Sequence, residues 1–278
     1  MTAQTLLAAL DLPIGTLVEQ RVPKTLLREH GASTATDKRR LDQNIERLVW
    51  VASLKPGAVG FVEHRDEVRE YLEIAVLHLT LRNSTGMDRL IELVHRAIPY
   101  PSLLVTDVTP RGMGQQTEAD EAPSGTKKRS RVAGQPGLHL SLAHKRWSQS
   151  EVGKTVLDGE VLSVGWSDPE TDADVTTFLG AMAMHRQRRG SLFDLYQGWM
   201  DTLVALLAAR RTGRFTPGVS TSGARDRQDA LGECERLEAE MARLRSAAAR
   251  EKQMARLVAL NRQLQQLRQA HAAAMSRL

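Results

Sequence analysis

Residues 71–81 read YLEIAVLHLTL, and this stretch decides the fold. It is almost wholly apolar and rich in strand-favouring residues, which predicts a strand buried on both faces. Residues 83–86 break it. The helix that follows carries apolar residues at helical spacing, namely Leu90, Ile91, Val94 and Ile98. Pro99 and Pro101 end that helix before the apolar run 103–105, so the order predicts a right-handed βαβ unit.

Upstream, the sequence predicts an edge element and then a helix. Residues 17–24 read LVEQRVPK, and Pro23 limits both helix formation and ladder pairing there, which predicts a short strand or edge segment. Ser33 or Thr34 can cap the helix. Its apolar residues at helical spacing are Leu41, Ile45, Leu48, Val49 and Ala52. Residues 55–57, Lys-Pro-Gly, supply the stop, so we expect this helix to pack on the core.

Downstream, further strands and then helices are expected. Residues 138–143 and 152–166 contain β-prone pieces that predict two or three more strands. From Val175 the pattern becomes helical, with Ser191 as a candidate N-cap. The predicted fold class is α+β, a small sheet flanked by helices and followed by a helical C-terminal region with a long coiled-coil-like arm. The expected parts are a mixed α/β domain at 1–168 with a flexible loop at 109–137, a helical segment at 169–211, a linker at 212–224 and a basic arm at 225–278.

The arm is predicted to be helical because neither Gly nor Pro occurs after Gly232. Its apolar residues follow a heptad rule in two sets. These are Leu237, Met241, Leu244 and Ala248, and then Leu257, Leu260, Leu264, Leu267, His271, Ala274 and Leu278. The sets do not share one phase, which indicates either a stutter in one helix or a turn between two antiparallel helices. The lack of turn residues favours one continuous helix, about 70 Å long.

Two interpretations of the arm remain open. It packs on its own domain, as many amphipathic helices do, or it is an assembly surface for another protein. The predicted partner-binding residues are Leu257, Leu260, Leu264, Leu267, Arg256 and Arg262. Residues 252–278 hold five Lys or Arg and no acid, so the distal arm presents a positive field.

The composition excludes several classes of protein. A chain of 278 residues with 41% hydrophobic content can bury a sizeable core unaided. The lone Cys234 cannot form an internal disulfide and the N-terminus lacks an export-signal pattern, which predicts a reducing cytoplasm. No apolar run reaches membrane-spanning length. The net charge of +5 suits an acidic partner, but aromatic residues are only 4% of the chain, which argues against a single-strand binder built on many stacked rings.

Short motifs spread along the chain resemble a known family. They are Arg21-Val22-Pro23-Lys24, Trp50 with Leu54-Lys55-Pro56, Ile98-Pro99-Tyr100-Pro101, His144-Lys145-Arg146, and Glu251-Lys252-Gln253 leading to Asn261. In this order they resemble an uncharacterised bacterial family found beside helicase and DNA methyltransferase genes in phage-defence islands. The loop near 109–137 departs from the more compact pattern of that family. The resemblance implies a setting in which proteins act together on DNA, and it brings no activity with it.

The sequence does not favour a nuclease. A restriction-type core needs an acid at the end of one strand and an acid-x-lysine on the next, because the carboxylates hold the metal and the lysine steadies the attacking water. The strand at 71–81 fails, since its only carboxylate is Glu73 and the first cation after it is Arg82. A phosphate-cradling glycine loop is missing, and the histidines lack metal-ligand spacing. We therefore predict no catalytic residue, no cofactor and no metal.

Two basic clusters are candidate contacts for a nucleic-acid backbone. They are Lys145 and Arg146 beside Trp147, and Arg186, Arg188 and Arg189 before a helix start. The predicted function is a non-catalytic accessory subunit of a bacterial anti-phage complex, docked through the arm on a helicase, methyltransferase or nuclease subunit. The alternatives are a metal-dependent nuclease-like subunit and a sequence-independent DNA-binding subunit. No small-molecule substrate is evident.

Overall fold

The computed structural model describes residues 1–108, 137–151, 153–166, 175–218 and 221–278. The predicted flexible loop at 109–137 lies outside these residues except for Gly137. The first half of the chain forms α1 (Ala3–Ala9), β1 (Leu17–Arg21), α2 (Lys24–His30), α3 (Ala35–Asn44), β2 (Ile45–Leu54), α4 (Pro56–Val59), β3 (His64–Arg65), β4 (Glu70–Tyr71), β5 (Ile74–Leu81), α5 (Met87–Ala97) and β6 (Ser102–Val108). The second half forms β7 (Leu138–Ala143), β8 (Lys145–Trp147), β9 (Thr155–Leu157), β10 (Leu162–Trp166), α6 (Val175–Met182), α7 (Leu192–Thr212), α8 (Thr221–Arg250) and α9 (Met254–Met275).

Six strands form one sheet in the order β1-β2-β5-β6-β7-β10. β5 and β6 are parallel, and the other neighbours are antiparallel. Helix α5 connects β5 to β6, so the predicted strand–helix–strand unit is confirmed. The predicted edge segment is also confirmed, because β1 is the outermost strand on one side. Two short hairpins, β3–β4 and β8–β9, are separate from this sheet.

Helices cover both faces of the sheet. One face packs against α1, α6 and α7, where Tyr196 and Trp199 are fully buried. The other face packs against α2, α3 and α5. With the helical C-terminal region that follows, the molecule has the predicted α+β class.

The structure confirms the helix caps predicted at Thr34 and Ser191. The Thr34 side chain accepts a hydrogen bond from the backbone N–H of Asp37 at the start of α3. Ser191 and Asp194 form a reciprocal capping box at the start of α7. Such local hydrogen bonds satisfy the free N–H groups of the first turn, which is why cap positions are visible in sequence.

The prediction of one helix through Ala52 is wrong, because residues 45–54 form strand β2. β2 lies between β1 and β5 and pairs with both. Its pairing with β5 shifts register between Ile45 and Arg47 and again between Trp50 and Ala52. Each shift interrupts the in-out alternation of the strand. The buried residues of β2 are Ile45, Leu48, Val51, Ala52 and Leu54. The spacing of positions 45, 48 and 52 among them imitates a helix.

The prediction of one continuous helical arm is also wrong. α8 and α9 are two helices that fold back on each other as an antiparallel hairpin, which is the alternative that the phase slip had left open. At about 1.5 Å per residue they are about 45 and 33 Å long. The preceding break is shorter than the predicted linker at 212–224, because α7 continues to Thr212 and α8 begins at Thr221. Gly213, at a φ of 75°, ends α7.

Candidate functional site

The helical hairpin is held together by a narrow apolar seam and by ion pairs across it. Cys234 and Leu237 of α8 are buried against Ala274 of α9. His271 Nε2 lies 2.9 Å from Glu238 Oε1. This pairing explains the heptad pattern of both sets of apolar residues, since each set supplies one side of the seam.

The base of the hairpin is fixed to the body of the protein. Arg211 near the end of α7 donates to Glu238 Oε1 at 2.5 Å, and this contact lowers the pKa of the Glu238 carboxyl. Arg227 of α8 donates to the Thr216 carbonyl at 3.0 Å and to the Leu278 carbonyl at 3.1 Å. The first turns of α8 and the end of α9 are therefore tied to the segment that follows α7.

The predicted partner-binding residues divide into two groups. Leu264 is only 6% exposed, Leu267 packs against the seam cluster, and Leu257 and Leu260 are half-buried. Arg256 and Arg262, in contrast, are exposed. The leucine stripe thus covers α8 within the same chain, and another protein would reach the arginines without opening the hairpin.

The far end of the hairpin, which we call the tip (residues 243–262), is strongly basic. It contains six cations, Arg243, Arg245, Arg250, Lys252, Arg256 and Arg262, and the single acid Glu251. The turn between the helices is closed by Glu251 Oε1, which accepts from the backbone N–H groups of Lys252 and Gln253 at 2.8 Å each. Every residue of the tip is at least partly exposed. Met254 and Val258 are 73% and 61% exposed, so apolar surface lies among the cations.

The prediction that Lys145 contacts a nucleic-acid backbone is not supported by its position. Lys145 is 1% exposed, and its ammonium donates to the carbonyl oxygens of His95 and, at 2.7 Å, of Ile98. These oxygens lie at the carboxyl end of α5, where a cation satisfies carbonyls that have no helical partner. Burial lowers the pKa of Lys145 to about 8. Its neighbour Arg146 is half-exposed and lies 3.7 Å from Asp158.

The three arginines of the second basic cluster, Arg186, Arg188 and Arg189, lie in different environments. Arg188 Nη2 donates to Asp201 Oδ2 at 2.5 Å on α7, while Arg186 and Arg189 are exposed. Arg186, Arg188 and Asp201 line a small cavity of about 210 Å³. Burial raises the pKa of Asp201 although Gln197 and Arg188 oppose that change. The three arginines therefore do not form one uniform cationic surface.

Several motifs behind the family resemblance hold the fold together. Lys24 donates to the carbonyl of Ile45 and, at 3.3 Å, to that of Asp42 at the carboxyl end of α3. Arg82 Nη1 reaches the Gln43 carbonyl of the same helix end at 3.1 Å. Trp50 meets Tyr100 edge to face with ring centroids 6.0 Å apart. Lys24 therefore satisfies carbonyl oxygens at the end of α3.

The nuclease alternative gains no support from the geometry. The Glu73 carboxylate accepts from the Ser53 hydroxyl and lies 3.6 Å from Lys55 Nζ. Arg82 points to the end of α3 as described above. In the part of the chain that the structure describes, no group of three or more His, Cys, Asp or Glu side chains could hold a metal ion.

Two buried polar networks were missed by the sequence analysis. His95 of α5 lies 2.9 Å from the Ser102 hydroxyl and 3.0 Å from the Ser141 hydroxyl, and burial lowers its pKa to about 3. The Tyr71 hydroxyl lies 2.5 Å from His144 Nδ1. Burial lowers the pKa of His144 to about 4. Both imidazoles are therefore neutral near pH 7. Scattered single histidines give no sequence signal for such contacts.

A groove between helices α2 and α5 and the β8–β9 hairpin was also missed. It has two connected parts, with volumes of about 470 and 700 Å³, that share His30, Arg96, Lys154 and Thr155. Trp147 and Tyr100 line the first part, and Arg146 lines the second. These residues are far apart in sequence, so no local pattern could have grouped them. The short run at 145–147 gave the only partial signal.

Comparison with known proteins identifies the family. No helix within the described ranges is both long and apolar enough to cross a membrane. Neither curated proteins nor solved structures provide a match to this chain. Residues 10–270 match the family model described as "Domain of unknown function (DUF4391)", which covers nearly the whole sequence. The chain therefore belongs to the DUF4391 family.

Proposed function

We propose that this chain is a non-catalytic accessory subunit of a bacterial anti-phage complex that acts on DNA in the cytoplasm. In that complex it docks through the tip of its hairpin onto an acidic surface of a helicase, methyltransferase or nuclease subunit. The setting comes from the family resemblance of the sequence motifs. The observation that carries the docking proposal is the concentration of six cations, with Met254 and Val258, in an exposed tip.

The charge of the tip supports an acidic partner. Six cations and one acid give the tip a formal charge of +5, which equals the formal charge of the whole chain. The rest of the molecule is therefore close to neutral. A local field of this kind speeds encounter with an acidic surface and fixes the orientation of docking.

The exposed apolar residues support a protein partner. Met254, Val258 and Arg262 are spaced four residues apart along α9 and so share one face of the helix. Met and Arg are enriched in protein interfaces, and exposed apolar residues gain energy when a partner removes them from water. This face lies beside the leucine seam, so docking leaves the hairpin closed.

The docking proposal is tested by co-purification from the native operon. The full-length chain, tagged, is expressed together with its neighbouring genes, and the stoichiometric partners are identified after size exclusion. The test variant is the double substitution Arg256→Gln and Arg262→Gln. The matched control is Arg39→Gln with Arg47→Gln, which removes the same charge from exposed positions on the body.

We expect the wild-type chain and the control to retain the partner subunit and the tip variant to lose most of it. Removing two interfacial cations typically weakens a complex by about tenfold or more for each charge-assisted contact. Equal retention of the partner by the tip variant and the control would refute the docking role of the tip. A chain that purifies alone in every case would refute the accessory-subunit proposal.

A second candidate, sequence-independent DNA binding, is favoured by the same positive tip. Cations that contact phosphates release counterions, so binding weakens steeply as salt rises. The purified chain is titrated with duplex DNA at several salt concentrations. If it binds, and if the salt slope falls by about two when Arg256 and Arg262 are neutralised, the tip contacts DNA directly.

A further inference from the structure

The groove beside the β8–β9 hairpin is lined by residues that contacts within the protein hold in place, and its floor and one wall are fixed in this way. Its floor is the connection from α5 to β6, where Tyr100 is 37% exposed and its ring is held by the edge contact with Trp50. Thr155 of β9 donates through Oγ1 to the Pro99 carbonyl at 2.8 Å. Because Thr155 pairs with Trp147 across the hairpin, this bond also positions Trp147 over the same floor. The two aromatic rings are therefore placed before any ligand arrives.

The other part of the groove is cationic. Arg96 leaves the last turn of α5 and is oriented by an ion pair with Glu92, one turn earlier. Lys154 lies 2.8 Å from Glu151, and Arg146 lies 3.7 Å from Asp158. All three cations line the groove, and so do two acids, Glu29 in this part and Glu70 in the part with the rings. Glu92, Glu151 and Asp158, which pair with the three cations, are not among the lining residues, and Glu70 is paired with Arg65, so cations outnumber acids in the lining.

The size and shape of the groove suit a small organic ligand. Its two parts, about 470 and 700 Å³, each fall within the range usual for ligand sites, which is about 300–1,000 Å³. One part offers rings and prolines, and the adjoining part offers cations and hydroxyls. A matching ligand therefore carries a flat apolar group joined to an anion.

We propose that this groove binds a nucleoside phosphate, with the base against Tyr100 and Trp147 and the phosphate between Arg96, Lys154 and Arg146. Bases stack on aromatic side chains regardless of sequence, and arginine and lysine are the common partners of phosphate. An inorganic anion would leave the rings unused, and a purely apolar ligand would leave the cations unused. The source is either a free nucleotide or one unit of a single strand, for which two rings suffice.

The site lies on the body of the protein, so it does not depend on docking through the tip. Isothermal titration calorimetry of the full-length protein with adenosine monophosphate, a ten-residue oligo-dT and inorganic phosphate tests it. The variants are Arg96→Gln, Lys154→Gln and Trp147→Leu. The control is Arg39→Gln, which removes an exposed cation of α3 that does not line the groove, and circular dichroism confirms that each variant is folded.

We expect the nucleotide or the oligonucleotide to bind more tightly than inorganic phosphate. Arg96→Gln and Lys154→Gln each weaken that binding by about tenfold. Trp147→Leu weakens binding of the base-containing ligands by about tenfold but leaves inorganic phosphate unchanged. Arg39→Gln leaves the binding of all three ligands unchanged. Tighter binding of the monophosphate identifies a free nucleotide as the source, and tighter binding of the oligonucleotide identifies a strand.

Two results would overturn the assignment. The first is that none of the base-containing ligands binds the wild-type protein better than inorganic phosphate does. The second is binding that is unaffected by Arg96→Gln and Lys154→Gln, since the ligand then lies elsewhere.

Discussion

Replacing Lys145 by Met tests the reasoning about buried cations most directly. Lys145 is nearly inaccessible to water and donates to two carbonyl oxygens at the end of α5. Methionine keeps an unbranched side chain as far as Cε but lacks the ammonium group, so both hydrogen bonds are lost. Leaving two buried carbonyls without a donor costs about 1–3 kcal/mol at pH 7, offset in part because the lysine charge is no longer buried.

The pH dependence of that cost is the distinctive result. Burial lowers the pKa of Lys145 from its ordinary value of 10.5 to about 8. Between these values the unfolded chain binds more protons than the folded protein, so the wild-type stability rises with pH. The gain reaches about 2.5 kcal/mol by pH 10. The neutral amine still donates to both carbonyls, so only the cost of burying charge disappears.

The assay is urea unfolding of the wild-type protein, Lys145→Met and Lys38→Met at pH 7, 8, 9 and 10. Lys38 is an exposed lysine on α3, so its replacement controls for the change in net charge. Other titrating groups are common to all three proteins and cancel in the differences. The difference between wild type and Lys145→Met should widen above pH 8. A difference that stays constant from pH 7 to 10 would show that Lys145 is not buried as a charged group.

Two further predictions concern single contacts. Asp37→Asn should lower the free energy of unfolding by about 1–3 kcal/mol at pH 7, because the Asp37 carboxylate accepts from Arg89 Nη2 at 2.7 Å and from Nε at 3.2 Å. Arg89 holds the pKa of Asp37 low, so this stabilisation is present above the ordinary Asp pKa and is lost in acid. The melting temperatures of the wild type and the variant should therefore converge as the pH falls towards 3. A difference that stays unchanged there would contradict this prediction. Leu264→Ala, at a buried seam position, should cost about 2–4 kcal/mol locally and speed hydrogen exchange across residues 221–278, whereas Val258→Ala should not; equal exchange in both would disprove the seam.

Local signals in the sequence predicted the centre of the fold correctly. The buried strand β5, helix α5 and strand β6 each have a pattern contained within a few residues, and the caps at Thr34 and Ser191 depend on neighbours three residues away. The physical reason is that hydrophobic periodicity and first-turn hydrogen bonds are set by the segment itself.

Register and helix pairing could not be predicted in the same way. The shifts in β2 arise from its pairing with β5, and they produced a helical spacing of buried residues in a strand. The arm bends at Glu251–Gln253 without Gly or Pro, because the seam between α8 and α9 and the bonds accepted by Glu251 stabilise the turn. In both places tertiary contacts override a local preference.

The candidate sites show the same division. Arg256 and Arg262 were predicted from charge alone to contact a partner, and both are exposed, as such contact requires. Lys145 belonged to an equally basic motif but lies inside the molecule. The number of charges in a segment says nothing about which carbonyl oxygens another helix will place beside them.

By itself, the sequence determined the α+β class, the central strand–helix–strand unit, the caps and the basic heptad character of the C-terminal region. Only the tertiary structure decided that β2 is a strand, that the arm is a hairpin, that Lys24 and Lys145 satisfy helix ends, and that Arg96, Trp147 and Lys154 share a groove. The first group depends on interactions between near neighbours in the chain. The second depends on which distant segments meet, and that is settled by the burial of two apolar faces of one sheet.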